Sequence, residues 1–167
     1  MLSDLQIKDL MEKDELGIEN FDEENLTPNG YDLTIAEIVV EDRRPQTEGE
    51  SVIPADTWFA VSTREYVRLP SNVAGELWIR TTWARQGVVS SFGMVDAGFE
   101  GNLTLSAYNS HKELEMPIGE RFAQICFIEL AEKSEKMYSE RSGNYQGQKG
   151  VTLKKKKGSE DKDGRED

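Results

Sequence analysis

The chain has 167 residues, 37% of them hydrophobic, and a formal net charge of −12, which favours one domain and argues against sequence-independent binding to nucleic-acid phosphates. No apolar stretch approaches the roughly 20 residues of a membrane span and the acidic beginning lacks a signal-peptide pattern, so we expect a cytoplasmic protein that does not bind membranes. A single cysteine and a single histidine exclude both an internal disulfide framework and the His/Cys/Cys zinc set of a zinc deaminase.

The first predicted element is a short helix over residues 3–16, in which Ser3 and Gln6 form a capping box. The segments that follow are rich in β-branched and aromatic residues and alternate with turn signals such as Pro28, Asn29 and Gly30. They predict strands over residues 31–40, 57–69, 75–83, 88–95, 101–109 and 121–130. Many short strands at this spacing favour an all-β barrel or sandwich over an α/β fold.

Beyond residue 131 the composition changes. Residues 142–150, SGNYQGQKG, have the glycine, tyrosine and glutamine content of a mobile arm that orders over a ligand. The charged residues 154–167 are expected to be disordered, because the KKKK run at 154–157 is followed at once by acidic residues. The predicted organisation is therefore a barrel domain over residues 1–137, an arm over 138–153 and a tail over 154–167.

Asp96 is the sharpest catalytic candidate. It precedes Gly98 and Gly101 in the segment VDAGFEG, and glycines at a tight turn let a ligand approach the backbone closely. A carboxylate there could hold a water molecule and take its proton. An Asx-turn in a hairpin explains the same residues, and this segment alone does not separate the two interpretations.

Three other segments carry polar groups that suit phosphate oxygens or water. They contain Asp32 in PNGYDL, Arg80, Thr81, Thr82 and Arg85 in IRTTWARQG, and Gln124 in IGERFAQICF. Each has a structural alternative, such as a turn carboxylate for Asp32 or a surface salt bridge for the arginines. The order of the segments along the chain is more specific than any one of them.

That order resembles the trimeric dUTPase and dCTP deaminase superfamily over residues 1 to about 153. The segments NGYDL, RTTWARQG, VDAGFEGNLTL, GERFAQICF and YQGQKG are similar to its five motifs. The leading helix, the A-R-x-G extension and the Y-Q-G-Q arm most resemble the deaminase-like, archaeal-type dUTP nucleotidohydrolases. The resemblance implies a distorted β-barrel of jelly-roll type, assembled as a homotrimer with active sites between subunits, and a substrate, dUTP or dCTP, bound with Mg²⁺.

Ser106 bears on the choice between the two activities. The zinc-free deaminases of this superfamily carry a glutamate in the pattern L-E-x-x-N, and Ser106 takes its place in LSAYN. A serine does not accept a proton at neutral pH without a base beside it. The resemblance therefore implies a dUTP diphosphatase, which forms dUMP and pyrophosphate, limits uracil in DNA and feeds dTTP synthesis. A dCTP deaminase, mono- or bifunctional, and a non-catalytic nucleotide-binding homologue stay open as alternatives.

The resemblance also implies residue roles. Asp96 is the general base for the water that attacks the α-phosphorus, Asp32 orients the water shell of the metal, and Phe99 packs on the deoxyribose. Backbone groups of residues 102–109 read the uracil. The other implied substrate contacts are Arg80, Thr81, Thr82, Arg85, Tyr108, Gln124, Tyr145 and Gln148. Two features depart from the family pattern: Thr-Thr replaces the usual Ser-Ser of the second motif, and the arm lacks the F-G-S-T-G pattern of ordinary dUTPases.

Overall fold

The structure is a computed structural model and describes residues 1–155. The predicted tail over 154–167 lies outside these residues except for its first two positions. The strands are β1 (Gly17–Glu19), β2 (Leu26–Thr27), β3 (Gly30–Val40), β4 (Glu50–Ile53), β5 (Thr57–Arg68), β6 (Val73–Ile79), β7 (Val88–Ser90), β8 (Met94–Val95), β9 (Glu100–Asn109), β10 (Leu114–Pro117) and β11 (Arg121–Glu129). The helices are α1 (Asp4–Glu12), α2 (Thr81–Ala84) and α3 (Tyr138–Arg141), with a 3₁₀ turn at Glu23–Asn25. Among residues 1–155 no helix is long and apolar enough to cross a membrane.

Helix α1 confirms the predicted capping box. The Ser3 hydroxyl accepts the backbone N–H of Gln6, and the Gln6 side chain accepts the N–H of Ser3 in return. The helix ends at Glu12 rather than at residue 16, because Asp14 adopts a left-handed backbone conformation with φ of 56°. Ile7 is fully buried, so α1 covers one end of the core.

Seven strands form the path of one antiparallel sheet in the order β7-β9-β5-β3-β11-β6-β8, and β1 and β2 pair at its sides. Strand β3 connects the two halves: residues 31–34 pair with β11, and residues 35–40 pair with β5. This change of partner along one strand lets the sheet curl into a half-barrel around the core. Strands β4 and β10 form a separate two-stranded sheet. The prediction of an all-β, jelly-roll-type fold with a short N-terminal helix is confirmed.

Strand β9 shows how the sequence pattern fixes the two faces of the sheet. Leu103, Leu105 and Ala107 are buried, whereas Ser106 and Tyr108 are exposed on the opposite face. Successive side chains of a strand point to opposite faces, so the strict alternation in GNLTLSAYN predicts this arrangement correctly. The polar face of β9 is the one available for binding.

The predicted strand over residues 75–83 is wrong in its second half. Strand β6 ends at Ile79, and the Thr81–Ala84 segment forms the helical turn α2. The turn brings the Trp83 side chain into the core, where its indole N–H donates to the Arg121 carbonyl at 2.8 Å. The predicted strand over 88–95 is likewise divided into β7 and β8. Tertiary packing overrides local β propensity in both places.

Candidate active site

A pocket of about 380 Å³ opens on the polar face of β9, beside the glycine-rich turn that precedes the strand. The pocket is lined by residues from different sequence motifs: Asp96, Phe99, Ser106, Tyr145 and Gln148. Trp58 of β5, Leu77 of β6, residues 91–95 and the chain segment at Thr152 and Leu153 also line it. The third motif and the arm of one chain therefore meet around a common space.

The turn after β8 presents Asp96 to solvent. Val95 is buried and pairs with Gly75, while the next residue, Asp96, is exposed. The Phe99 N–H donates to the Asp96 carbonyl at 3.0 Å, which closes the turn. Gly98 has φ of +82°, and a Cβ atom there would lie 2.5 Å from the Met137 side chain. Only glycine fits this backbone without a shift, so the turn holds the carboxylate at the rim of the pocket.

Phe99 forms an apolar wall between that turn and the arm. Its ring is buried and packs edge-to-face against Tyr138, with the ring centroids 5.5 Å apart. The Tyr138 hydroxyl in turn accepts the backbone N–H of Tyr145 at 3.0 Å. An aromatic wall of this kind suits an apolar ring face of a ligand.

Ser106 lies on the pocket side of β9, directly opposite Ala60 of β5. Of the described residues that line the pocket, Asp96 is the only one with a carboxylate. Tyr108 is exposed two residues further along the same face but does not line the pocket. Trp58, directly opposite Tyr108, does line it. Sequence reasoning missed Trp58, although a tryptophan on the polar face of a strand is a signal that could have found it.

A second group of predicted residues gathers on the other half of the sheet. Gln124 of β11 lies opposite both Asp32 of β3 and Trp78 of β6, so the three side chains form a row on one face. The Arg80 Nε atom lies 3.0 Å from the Asp32 carboxylate, and Arg121 lies 3.7 Å from the same oxygen. Burial raises the pKa of Asp32 above its ordinary value, and the two guanidinium charges partly offset this rise.

The rest of the second motif extends from this row. Thr81 and Thr82 are exposed at the beginning of α2, and Arg85 is exposed at its end. The Gln124 amide donates to the Thr27 hydroxyl at 2.8 Å. No residue of this second group lines the pocket that holds Asp96. One chain therefore presents the predicted site residues as two separate groups, with Tyr108 outside both.

The described residues do not provide a cage for a resident metal. Across residues 1–155 there is no group of three or more His, Cys, Asp or Glu side chains that could hold a metal ion, and the Asp32 charge is balanced by Arg80. Mg²⁺ is commonly bound by one or two carboxylates together with substrate phosphates and water. The donor set fits a magnesium ion that arrives with a triphosphate.

The arm packs along the beginning of β9. The Gly147 N–H donates to the Glu100 carbonyl at 2.6 Å, and the Asn102 N–H donates to the Gln148 carbonyl at 3.1 Å. The Gln148 side-chain amide donates to the Asn102 carbonyl at 2.6 Å. Gln148 is buried while Tyr145 is half-buried, and both line the pocket. In this structure the arm forms part of the pocket wall of its own chain.

Residues 36–130 match the family described as dCTP deaminase-like. A protein of Pyrococcus horikoshii named dCTP deaminase is 43% identical over 147 residues, which cover 86% of this chain and 92% of that protein. A protein of Sulfolobus islandicus rod-shaped virus 1, named a probable deoxyuridine 5′-triphosphate nucleotidohydrolase, is 34% identical, over 93% of this chain and 98% of that protein.

Solved structures show the same fold. The dCTP deaminase of Agrobacterium tumefaciens aligns with a TM-score of 0.66 and 18% identity, over 75% of this chain and 47% of that one, so the chain spans about half the length of that deaminase. The dUTPase of EIAV aligns with a TM-score of 0.52 and 20% identity, over 75% of this chain and 98% of that one. The chain is an enzyme of the dUTPase and dCTP deaminase superfamily and belongs to its dCTP deaminase-like family.

Proposed function

We propose that the protein is a dUTP diphosphatase that hydrolyses dUTP to dUMP and pyrophosphate. The observation that carries this proposal is the pairing of Ser106 and Asp96 in one pocket, where Asp96 is the only carboxylate among the described lining residues. Deamination of cytosine requires a group that takes a proton from water and delivers it to the departing ammonia. The Ser106 hydroxyl does not do this at neutral pH, whereas Asp96 suits attack of water on phosphorus.

Asp96 acts as the general base in this proposal. Its carboxylate is exposed at the rim of the pocket, where a water molecule can bind to it and face a phosphate group. As the water oxygen attacks the α-phosphorus, its proton passes to Asp96 and pyrophosphate leaves. The tight turn fixed by Gly98 keeps the carboxylate in place during this step.

Phe99 and the edge of β9 bind the nucleoside. The Phe99 ring packs on the deoxyribose in this proposal and disfavours a 2′-hydroxyl. Strand β7 pairs with β9 only through residues 107–109, and the arm contacts β9 at Asn102. The intervening residues 103–106 all line the pocket. The Leu103 N–H donates to the Thr63 hydroxyl of β5, and backbone groups alternate between the two edges of a strand. The N–H and C=O groups of Thr104 and Ser106 therefore face away from β5 and can pair with the O4 and N3–H groups of uracil.

The phosphates are bound by the second group of residues, which we assign to a neighbouring subunit of a homotrimer. Arg80, Thr81, Thr82, Arg85 and Gln124 provide guanidinium, hydroxyl and amide donors that stabilise the charge developing in the transition state. Trp78 and Met94, which lie on the adjacent strands β6 and β8, are 55% and 53% exposed. Large apolar side chains exposed side by side are typical of a subunit contact.

The Asp32 carboxylate holds Arg80 in position, and it would orient the water shell of a Mg²⁺ ion bound to the triphosphate. Such an ion would neutralise part of the phosphate charge, so that a chain with a net charge of −12 can bind the nucleotide. Tyr145 and Gln148 close the pocket from the side of the arm, which excludes bulk water from the reacting phosphate.

The test is to incubate the protein with dUTP and with dCTP in separate reactions containing Mg²⁺, and to separate the products by chromatography. We expect dUMP from dUTP, and neither dUMP nor dUTP from dCTP. The Asp96→Asn variant, prepared in parallel, shows whether the activity belongs to this protein. Conversion of dCTP to a uracil nucleotide by the wild type but not by the variant would overturn the proposal.

A second candidate function, dCTP deamination, is favoured by the names of relatives such as that of Pyrococcus horikoshii. A deaminase would then need a general base other than Ser106. Of the described pocket residues, Asp96 has the only carboxylate, so this candidate predicts that Asp96→Asn abolishes ammonia release from dCTP. Ammonia release therefore discriminates between the two candidates.

A further inference from the structure

Three polar side chains form a row across the polar face of the sheet, next to the pocket. Glu37 of β3 lies directly opposite Ser62 of β5, and Ser62 lies directly opposite Thr104 of β9. Residues directly opposite in antiparallel strands point to the same face. Thr104 is two residues from Ser106 on β9 and lines the same pocket, so the row borders the proposed nucleotide site.

The segment 150–152 docks on this row through side chains rather than through strand pairing. The Val151 N–H donates to the Glu37 carboxylate at 3.1 Å, and the Thr152 N–H donates to the Thr104 hydroxyl oxygen at 3.0 Å. The Thr104 hydroxyl donates in turn to the Gly150 carbonyl at 3.4 Å. Glu37 and Thr104 therefore hold three consecutive residues of the chain.

The backbone at Gly150 is shaped for this contact. Gly150 has φ of +64°, and a Cβ atom there would lie 3.0 Å from the Glu37 carboxylate. Glycine permits both the left-handed conformation and the close approach. Glu37 itself is half-buried, and Ser62 beside it is buried, so the segment lies against the sheet surface.

This docking forms a wall of the pocket. Thr152 and Leu153 line the pocket together with Asp96, Ser106 and Trp58. The contact at Glu37 is separate from the one that Tyr145 and Gln148 make nearer the beginning of β9. Release of segment 150–153 would open the pocket on the side of Thr104 while the rest of the arm stays in place.

We propose that Glu37 is a positioning residue whose carboxylate holds segment 150–153 against the sheet and thereby sets one wall of the nucleotide pocket. The link to the nucleotide rests on the proposed function, whereas the docking is a property of the chain without ligand. A hydrogen bond to a charged acceptor is stronger than one between neutral groups, so the negative charge of Glu37 matters as well as its oxygen atoms.

Hydrogen exchange followed by mass spectrometry tests the docking in the absence of nucleotide. In Glu37→Ala, exchange in the peptide covering residues 150–153 should accelerate about tenfold, the effect of losing one charge-assisted hydrogen bond. Glu37→Gln, which keeps an acceptor oxygen without the charge, should give a smaller acceleration. Glu115→Ala, a change at an exposed glutamate of β10, is the matched control and should leave exchange unchanged.

Thr104→Val provides a second route to the same result, because it removes the acceptor of the Thr152 N–H and keeps the shape of the side chain. It should accelerate exchange in the same peptide, even if Glu37→Ala fails to fold. Unchanged exchange in Thr104→Val, or in a folded Glu37→Ala, would overturn the proposal.

Kinetics connect the docking to the active site. If the docked segment is a wall of the nucleotide pocket, Glu37→Ala should raise KM for dUTP by several-fold and change kcat less. A protein that shows accelerated exchange but no dUTP hydrolysis, even as wild type, would refute the proposed function and leave the docking intact. Accelerated exchange with wild-type KM and kcat would refute the role of Glu37 at the pocket.

Discussion

The role of Asp96 can be tested by Asp96→Asn, which removes the base and keeps the size of the side chain. Asp96 is exposed, and in the hydrogen bond that closes its turn the Phe99 N–H donates to the Asp96 main-chain carbonyl at 3.0 Å. The substitution leaves that bond intact, so the free energy of unfolding should change by no more than about 0.5 kcal/mol. A positioned general base contributes about 10² to 10⁴ in rate. This corresponds to about 2.7 to 5.5 kcal/mol of activation free energy.

The assay is pyrophosphate release from dUTP at saturating substrate and Mg²⁺, with the binding of a non-hydrolysable dUTP analogue measured by calorimetry. We expect kcat to fall by the factor given for a general base while the dissociation constant of the analogue stays within a few-fold of wild type. Asp42→Asn, at an exposed turn residue outside the pocket, is the control and should keep full activity. A variant that turns over dUTP at near wild-type rate would refute the assignment of Asp96 as base.

Three further predictions concern the arm, the assembly and pH. Truncation after Tyr138 should severely reduce turnover but leave the melting temperature nearly unchanged. The reason is that within residues 1–155 no buried hydrophobic core residue lies beyond Phe127. Truncation after Leu153 should be almost silent, and equal behaviour of the two forms would remove Tyr145 and Gln148 from the site. Sedimentation should show a trimer; a fully active monomer would contradict the shared site. Burial raises the pKa of Glu65, although hydrogen bonds from Thr34 lower it in part. The Glu65 carboxylate therefore binds a proton more tightly in the folded state than in the unfolded state. The resulting stability is present at low pH and lost as pH rises through the folded pKa. Glu65→Gln should flatten this decline in urea titrations carried out upward from the ordinary glutamate pKa of about 4.3; an unchanged slope would be the contrary result.

The residue pattern predicts the faces of the strands well, because alternation is a local property of the chain. In β9 it separates buried Leu103 and Leu105 from exposed Ser106, which is enough to place Ser106 on the binding side. The resemblance to the family motifs also predicts which distant segments of the chain lie near Asp96. The structure brings Asp96, Ser106 and Tyr145 to one pocket, although their chemical roles stay predictions.

Contacts that depend on the register between strands could not be predicted. Glu37 and Thr104 lie in one row only because each is opposite Ser62 of β5, and no local pattern specifies that alignment. Trp58 reaches the pocket for the same reason. The helical turn at Thr81–Ala84 was missed because its β-branched threonines favour a strand locally.

In the proposed homotrimer, the position of the second group relative to Asp96 depends on the contact between subunits. Arg80 is held by Asp32 through pairing of β3 with β11 and of β11 with β6, so its own surroundings follow from the fold of one chain. In that proposal, the approach of Arg80 to the pocket of a neighbour would depend on exposed surfaces such as those of Trp78 and Met94. A single sequence carries no direct record of that contact.

According to the proposed function, a pocket with Ser106 and Asp96 hydrolyses a phosphate bond and does not deaminate a base. The most direct measurement supplies dUTP and dCTP together in equal amounts with Mg²⁺ and follows pyrophosphate and ammonia in the same reaction. We predict the formation of pyrophosphate and dUMP without ammonia. Ammonia that appears together with or ahead of pyrophosphate would contradict the claim.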